Sequence, residues 1–221
     1  MAKSQWSFKT AVELSAALAA KKVSAVELAQ DAINRIERHD AKINAICVRD
    51  FERGLAAARA ADAELARGVK KPLLGLPMTV KESYNVAGLP TTWGIPAQKE
   101  FTPTEDALPI TRVKDAGGVI LGKNNVPLGL GDWQSYNEIY GTTNNPFDLG
   151  RTPGGSSGGA SAALAAGYGP LSLGSPTSAA RCACRRFIAA SMRTSRPSIS
   201  SPCAATPRHP CRRYHPRATS A

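Results

Sequence analysis

From Pro176 to Ala221 the chain contains no Asp, no Glu and no Lys, yet nine Arg stand there. The whole chain of 221 residues holds 28 basic and 17 acidic residues, a formal charge of +11. Taken alone, that excess points to a nucleic-acid or membrane-surface partner. With the nine tail arginines set aside, 19 basic residues face 17 acidic ones, a net of +2. The body is therefore nearly neutral, and no specific nucleic-acid partner is expected. Cysteine is equally scarce before the tail: Cys47 is alone in residues 1–175, which excludes a disulfide scaffold. No apolar signal region follows "MAKSQWSFKT", and no apolar run approaches the length of a membrane span. A cytoplasmic protein with no membrane partner is expected. No internal repeat is found.

What is present reads as an α/β protein. Thr10-Ala-Val-Glu13 and Ser24-Ala-Val-Glu27 are capping boxes, each followed by apolar residues at helical spacing. A third helix runs through "ERGLAAARAADAELARG", with Gly68 as its stop. The pattern then changes. "LLGLPMTVKE" predicts a buried strand ending near Lys81, and "TRVKDAGGVILGKNN" predicts a helix, a glycine turn and a strand over Val119–Leu121. "GRTPGGSSGGASAALAAGYG" predicts a glycine-rich loop opening into a helix of small residues. Helices first, then alternating strand and helix, argue a largely buried sheet.

Two features carry chemistry. The loop Gly150–Gly159 sets four glycines about two serines at a helix start, where free N–H groups suit an anion or a developing oxyanion. A flexible linker has the same composition. No Lys follows the glycines, so the loop is not a phosphate-binding P-loop. The second feature is Lys81, at the end of an otherwise apolar strand. Desolvation there disfavours the ammonium, and a neutral amine can act as a general base.

The segments "GLPMTVKESYNVAGLPTTWG", "GGVILGKNNVPLGLG", "NNPFDLGRTPGGSSGGASAALAAG" and "GPLSLGS" follow one another in an order that resembles the amidase signature hydrolases. The resemblance covers most of residues 7–175. It implies a mixed sheet wrapped by helices and a Ser–cis-Ser–Lys triad that cleaves carboxylic amides. By that resemblance Lys81 is the base and Ser156 the bridging serine after a cis peptide bond. Gly154, Gly155, Ser157 and Gly158 belong to the loop that supports substrate and oxyanion. No cofactor and no metal are implied. The substrate of the intact enzyme is a small-molecule amide. The A subunit of a tRNA-dependent amidotransferase is the alternative within the family.

The family's nucleophile lies in a motif Asp-Ile-Gly-Gly-Ser. Its serine falls at position 180, where this chain has Ala180 in Pro176-Thr-Ser-Ala-Ala180. The genetic code suggests why. Reading the codons of Pro176 to Arg185 from each third base permits Asp-Ile-Gly-Gly-Ser-Leu-Arg-Val-Pro. The tail therefore reads as an out-of-frame translation beginning near residue 175. Residues 1–175 are then the N-terminal portion of an amidase domain, and 176–221 a tail whose composition predicts disorder. Cys182 and Cys184 are spaced Cys-x-Cys, which argues against a zinc site. The chain as written is expected to be an incomplete amidase that lacks its nucleophile and does not turn over substrate.

Overall fold

A computed structural model describes residues 4–175. The boundary expected at residue 175, the tail 176–221 and Ala180 fall at or outside the limit of those residues. Within them the chain runs α1 (Ala11–Ala19), α2 (Ala25–Ile43), β1 (Ile46–Arg49), α3 (Phe51–Ala66), β2 (Pro77–Lys81), α4 (Leu108–Asp115), β3 (Val119–Asn124), β4 (Tyr136–Asn137), β5 (Gly141–Thr142), α5 (Gly158–Ala165) and β6 (Leu171–Leu173). Both capping boxes form. The Thr10 side chain accepts from the Glu13 amide and the Ser24 side chain from the Glu27 amide, and each glutamate reaches back to the cap amide.

The second helix start is closed more completely than its own sequence explains. Asp62, on α3, accepts from the amides of Ala25 at 2.7 Å and Val26 at 3.1 Å. These first-turn N–H groups have no partner inside α2. Asp62 thus ties α3 to α2 by satisfying donors that the capping box leaves over. Asp62→Ala is expected to cost about 1–2 kcal/mol in urea unfolding followed by circular dichroism, with Asp62→Asn recovering part of it. A cost below about 0.3 kcal/mol would show that water replaces the carboxylate without loss.

The main sheet has the order β1-β3-β2-β6. β2 pairs parallel with both β3 and β6, and β1 pairs antiparallel with β3, so the sheet is mixed. Alternation along the strands divides the core. Val119 and Leu121 face α1, α2, α3 and α5, and Ile120, Met78 and Val80 face α4. Because side chains on a strand alternate, Thr79 and Lys81 turn away from α4. That puts Lys81 on the side where α5 begins. The fold is the α/β arrangement expected, with a mixed sheet between helical layers. The sequence pattern announces none of β1, β4, β5 and β6, and β3 runs three residues beyond Leu121, to Asn124. All six of its residues are buried, so the polar Lys123 and Asn124 do not mark a strand end. Among the described residues no helix is long and apolar enough to cross a membrane.

Candidate active site

The site lies at the C-terminal ends of β2, β3 and β6. The β2–β3 register sets Lys81 beside Asn124, and the β2–β6 register sets Val80 beside Leu173. Parallel pairing makes the residues that follow these strands emerge together. Side chains fix that register. Ser172 Oγ shares its one proton between the Thr79 carbonyl at 3.2 Å and Asn124 Oδ1 at 2.9 Å, and it accepts from Thr79 Oγ1 at 3.0 Å. A one-residue slip would break all three bonds and turn Lys81 to the α4 face.

Lys81 has no exposed surface and Ser156 is 2% exposed. Lys81 Nζ donates to Ser156 Oγ at 2.7 Å and to Ser175 Oγ at 2.6 Å. Burial, with no carboxylate to offset it, pulls the Lys81 amine down from 10.5 to about 8. A base with a pKa near the working pH combines a useful neutral fraction with real proton affinity.

The glycine-rich loop brings Ser156 to Lys81. The Gly155–Ser156 peptide bond is cis. Gly155 lies flat against the backbone of residues 132–134, where a Cβ would come within 2.6 Å of the Trp133 carbonyl carbon and 2.7 Å of Asp132 O. Gly154 has φ +95°. Ser135 staples the loop from outside: its Oγ donates to the Gly154 carbonyl at 3.3 Å and accepts from the Gly158 amide at 3.0 Å. Ser157 is fully buried, and its Oγ donates to the Ser175 carbonyl at 3.0 Å. The Gly158 amide and the Ser157 hydroxyl are therefore engaged inside the protein. Among the loop residues expected at an oxyanion, these two brace the site.

Three participants were not singled out from sequence. Ser175 is the second hydroxyl on Lys81. Glu82 and Lys123 form a buried bracket beside it. Glu82 accepts from the amides of Thr92 and Trp93 and from Tyr140 Oη, and Lys123 Nζ donates to the Pro90 carbonyl and, at 2.7 Å, to Thr91 Oγ1. Burial lowers Lys123 to about 8, opposed by Glu82 nearby. The bracket fixes the loop over residues 90–93. The adjacent Lys81-Glu82 pair in "VKES" was the signal available. Among the described residues no cluster of three or more His, Cys, Asp or Glu is placed to hold a metal ion.

The family model for amidase matches residues 27–180, well over half of the chain. This chain belongs to the amidase family. It is 42% identical over 170 residues to the A subunit of the glutamyl-tRNA(Gln) amidotransferase of Acidothermus cellulolyticus, covering 76% of this chain and 34% of that protein. A bacterial aryl acylamidase of the amidase signature family superposes with a TM-score of 0.71 at 27% identity, covering 76% of this chain and 36% of the other. A chain from a vestigial complex tied to the origins of an s-triazine catabolic enzyme superposes with a TM-score of 0.72 at 39% identity, covering 75% and 37%. This amidase chain thus spans about a third of the length of the curated relatives it matches.

Proposed function

We propose that residues 1–175 are the N-terminal portion of a cytoplasmic amidase that cleaves carboxylic amides, and that this chain carries the proton-relay half of the site without the nucleophile. The observation that carries the reading is the 2.7 Å contact between buried Lys81 Nζ and Ser156 Oγ. In the complete enzyme, neutral Lys81 takes the Ser156 proton while Ser156 takes the proton of the attacking serine. That serine bonds to the amide carbon, the amine leaves with a proton returned along the same relay, and water releases the acid. Position 180 is Ala in this chain, and reading residues 176–221 as an out-of-frame tail accounts for the missing nucleophile motif.

The test uses release of p-nitroaniline from an acyl p-nitroanilide. The chain as written is expected to give no turnover above buffer, and Ala180→Ser alone is expected not to restore it, because the neighbouring glycines are also absent. A chain re-encoded in the other frame from codon 176 and carrying the rest of the family's length is expected to turn over, and to lose that activity with Lys81→Ala. Turnover by the present chain that Lys81→Ala abolishes would overturn the inactive assignment. The 42% identity to an amidotransferase A subunit supports a second reading, in which the complete protein serves tRNA-dependent amidation. Formation of Gln-tRNA(Gln) from Glu-tRNA(Gln) by the re-encoded chain, given only with partner subunits, would decide for it.

A further inference from the structure

Lys81 meets two hydroxyls, and they differ in access. Ser156 is buried, whereas Ser175 is only half-buried. Both lie within hydrogen-bond distance of Lys81 Nζ, Ser175 Oγ at 2.6 Å and Ser156 Oγ at 2.7 Å. Its backbone is held from the other side by Ser157 Oγ on the Ser175 carbonyl. A half-buried hydroxyl whose own carbonyl is anchored and which touches a buried amine has the geometry of an activated serine. We propose that Ser175 is an acylable nucleophile of this chain, with Lys81 as its base, and that the acyl donors it accepts are activated esters.

The assignment rests on Lys81 being the base of the proposed function, and it goes beyond that function by naming a different attacking oxygen. The Lys81 lone pair takes the Ser175 proton as Oγ bonds to the ester carbonyl carbon. The tetrahedral anion then collapses, and the C–O bond to the aryl group breaks with its electron pair leaving as phenolate. The Lys81 ammonium gives its proton to that phenolate or to water. One ester and one serine become one acyl-serine and one phenol. An aryl oxide leaves without prior protonation, whereas an amine must be protonated to leave, so the donor class is the ester. The same contrast explains why acylation here does not imply amide turnover.

The test incubates the full chain with p-nitrophenyl acetate between pH 6 and 9, followed by intact mass and peptide mapping. One acetyl group on Ser175 is expected, removable by hydroxylamine as an ester is, at a rate that rises with pH through about 8. Ser175→Ala is expected to abolish it, and Lys81→Met to slow it about a hundredfold, with circular dichroism showing both variants folded. Ser175→Cys gives an independent readout: iodoacetamide is expected to alkylate that thiol faster than in the Ser175→Cys, Lys81→Met double variant. Acetyl on Ser156, hydroxylamine-stable acetyl on Lys81, or no label within residues 4–175 would overturn the Ser175 assignment. None of these outcomes touches the Lys81–Ser156 relay, which stands or falls with turnover by the re-encoded chain.

Discussion

Gly159→Ala is expected to destabilise the protein by about 2 kcal/mol, although alanine is the better helix former. Gly159 is the second residue of α5 and is buried. A Cβ there would stand 2.5 Å from both Asn125 N and Asn125 O and 3.1 Å from Ala45 O. All three are backbone atoms, and the Asn125 amide already donates to the Ala45 carbonyl at 3.0 Å. No side chain can rotate aside, so either α5 lifts or the 45/125 contact opens. Helix propensity alone would favour Ala by about 1 kcal/mol, and an overpacked core costs about 1–3 kcal/mol, at the upper end where the partner is main chain. Gly129 supplies the contrast. It has φ +56° and open space around its Cβ position, so Gly129→Ala is expected to cost only the left-handed strain, about 1–2 kcal/mol. Urea unfolding of both variants separates close approach from backbone strain. A Gly159→Ala variant within about 0.5 kcal/mol of the parent would show that α5 shifts freely, and the fixed placement of Ser156 would go with it.

The elements legible in the sequence are those whose causes are local. Thr10 with Glu13 and Ser24 with Glu27 specify helix starts within four residues, and both boxes form. Lys81 was legible because a lone charge closes an apolar strand. Lys123 has the same burial and the same lowered pKa, but Gly122 precedes it and Asn124 and Asn125 follow, so the local pattern reads as a turn. Its partners are contributed by Pro90 and Thr91, over thirty positions earlier in the chain. Ser175 shows the same limit in a sharper form. It meets Lys81 across 94 positions, and only because β6, three residues long, pairs parallel with β2. "LSL" is too short to announce a strand, so the register that delivers the second hydroxyl is a tertiary fact. Asp62 closing α2 belongs to the same class, since nothing in α3 by itself points to the amides of Ala25 and Val26.

Raising the pH from 8 to 9 is expected to stabilise the protein by about 2 kcal/mol, against the usual loss of stability in alkali. Lys81 and Lys123 are each lowered from 10.5 to about 8 by burial. Above pH 8 both are increasingly neutral in the folded state, while the unfolded chain keeps their protons until about 10.5. The unfolded state then binds more protons, so stability rises with pH. The penalty is full below about 8 and is relieved as pH climbs towards the unfolded value. Each lysine contributes about 1 kcal/mol over this single unit of pH, because the folded amine is still half protonated at its start. The window closes from above. Burial raises the Cys47 thiol well beyond its ordinary 9.0, and Tyr84, Tyr140 and Tyr168 beyond 10. These groups ionise first in the unfolded chain, so they oppose the lysines above about pH 9. Lys81→Met is expected to halve the gain, to about 1 kcal/mol, leaving the Lys123 share. At pH 7 it should also be more stable than the parent by about 1 kcal/mol, since removing the desolvated amine outweighs two lost hydrogen bonds. Urea titrations at pH 7, 8 and 9 read both effects. A parent stability that falls between pH 8 and 9, or a Lys81→Met variant with the parent's full slope, would mean that the Lys81 amine is solvated and cannot be the neutral base on which both Ser156 and Ser175 depend.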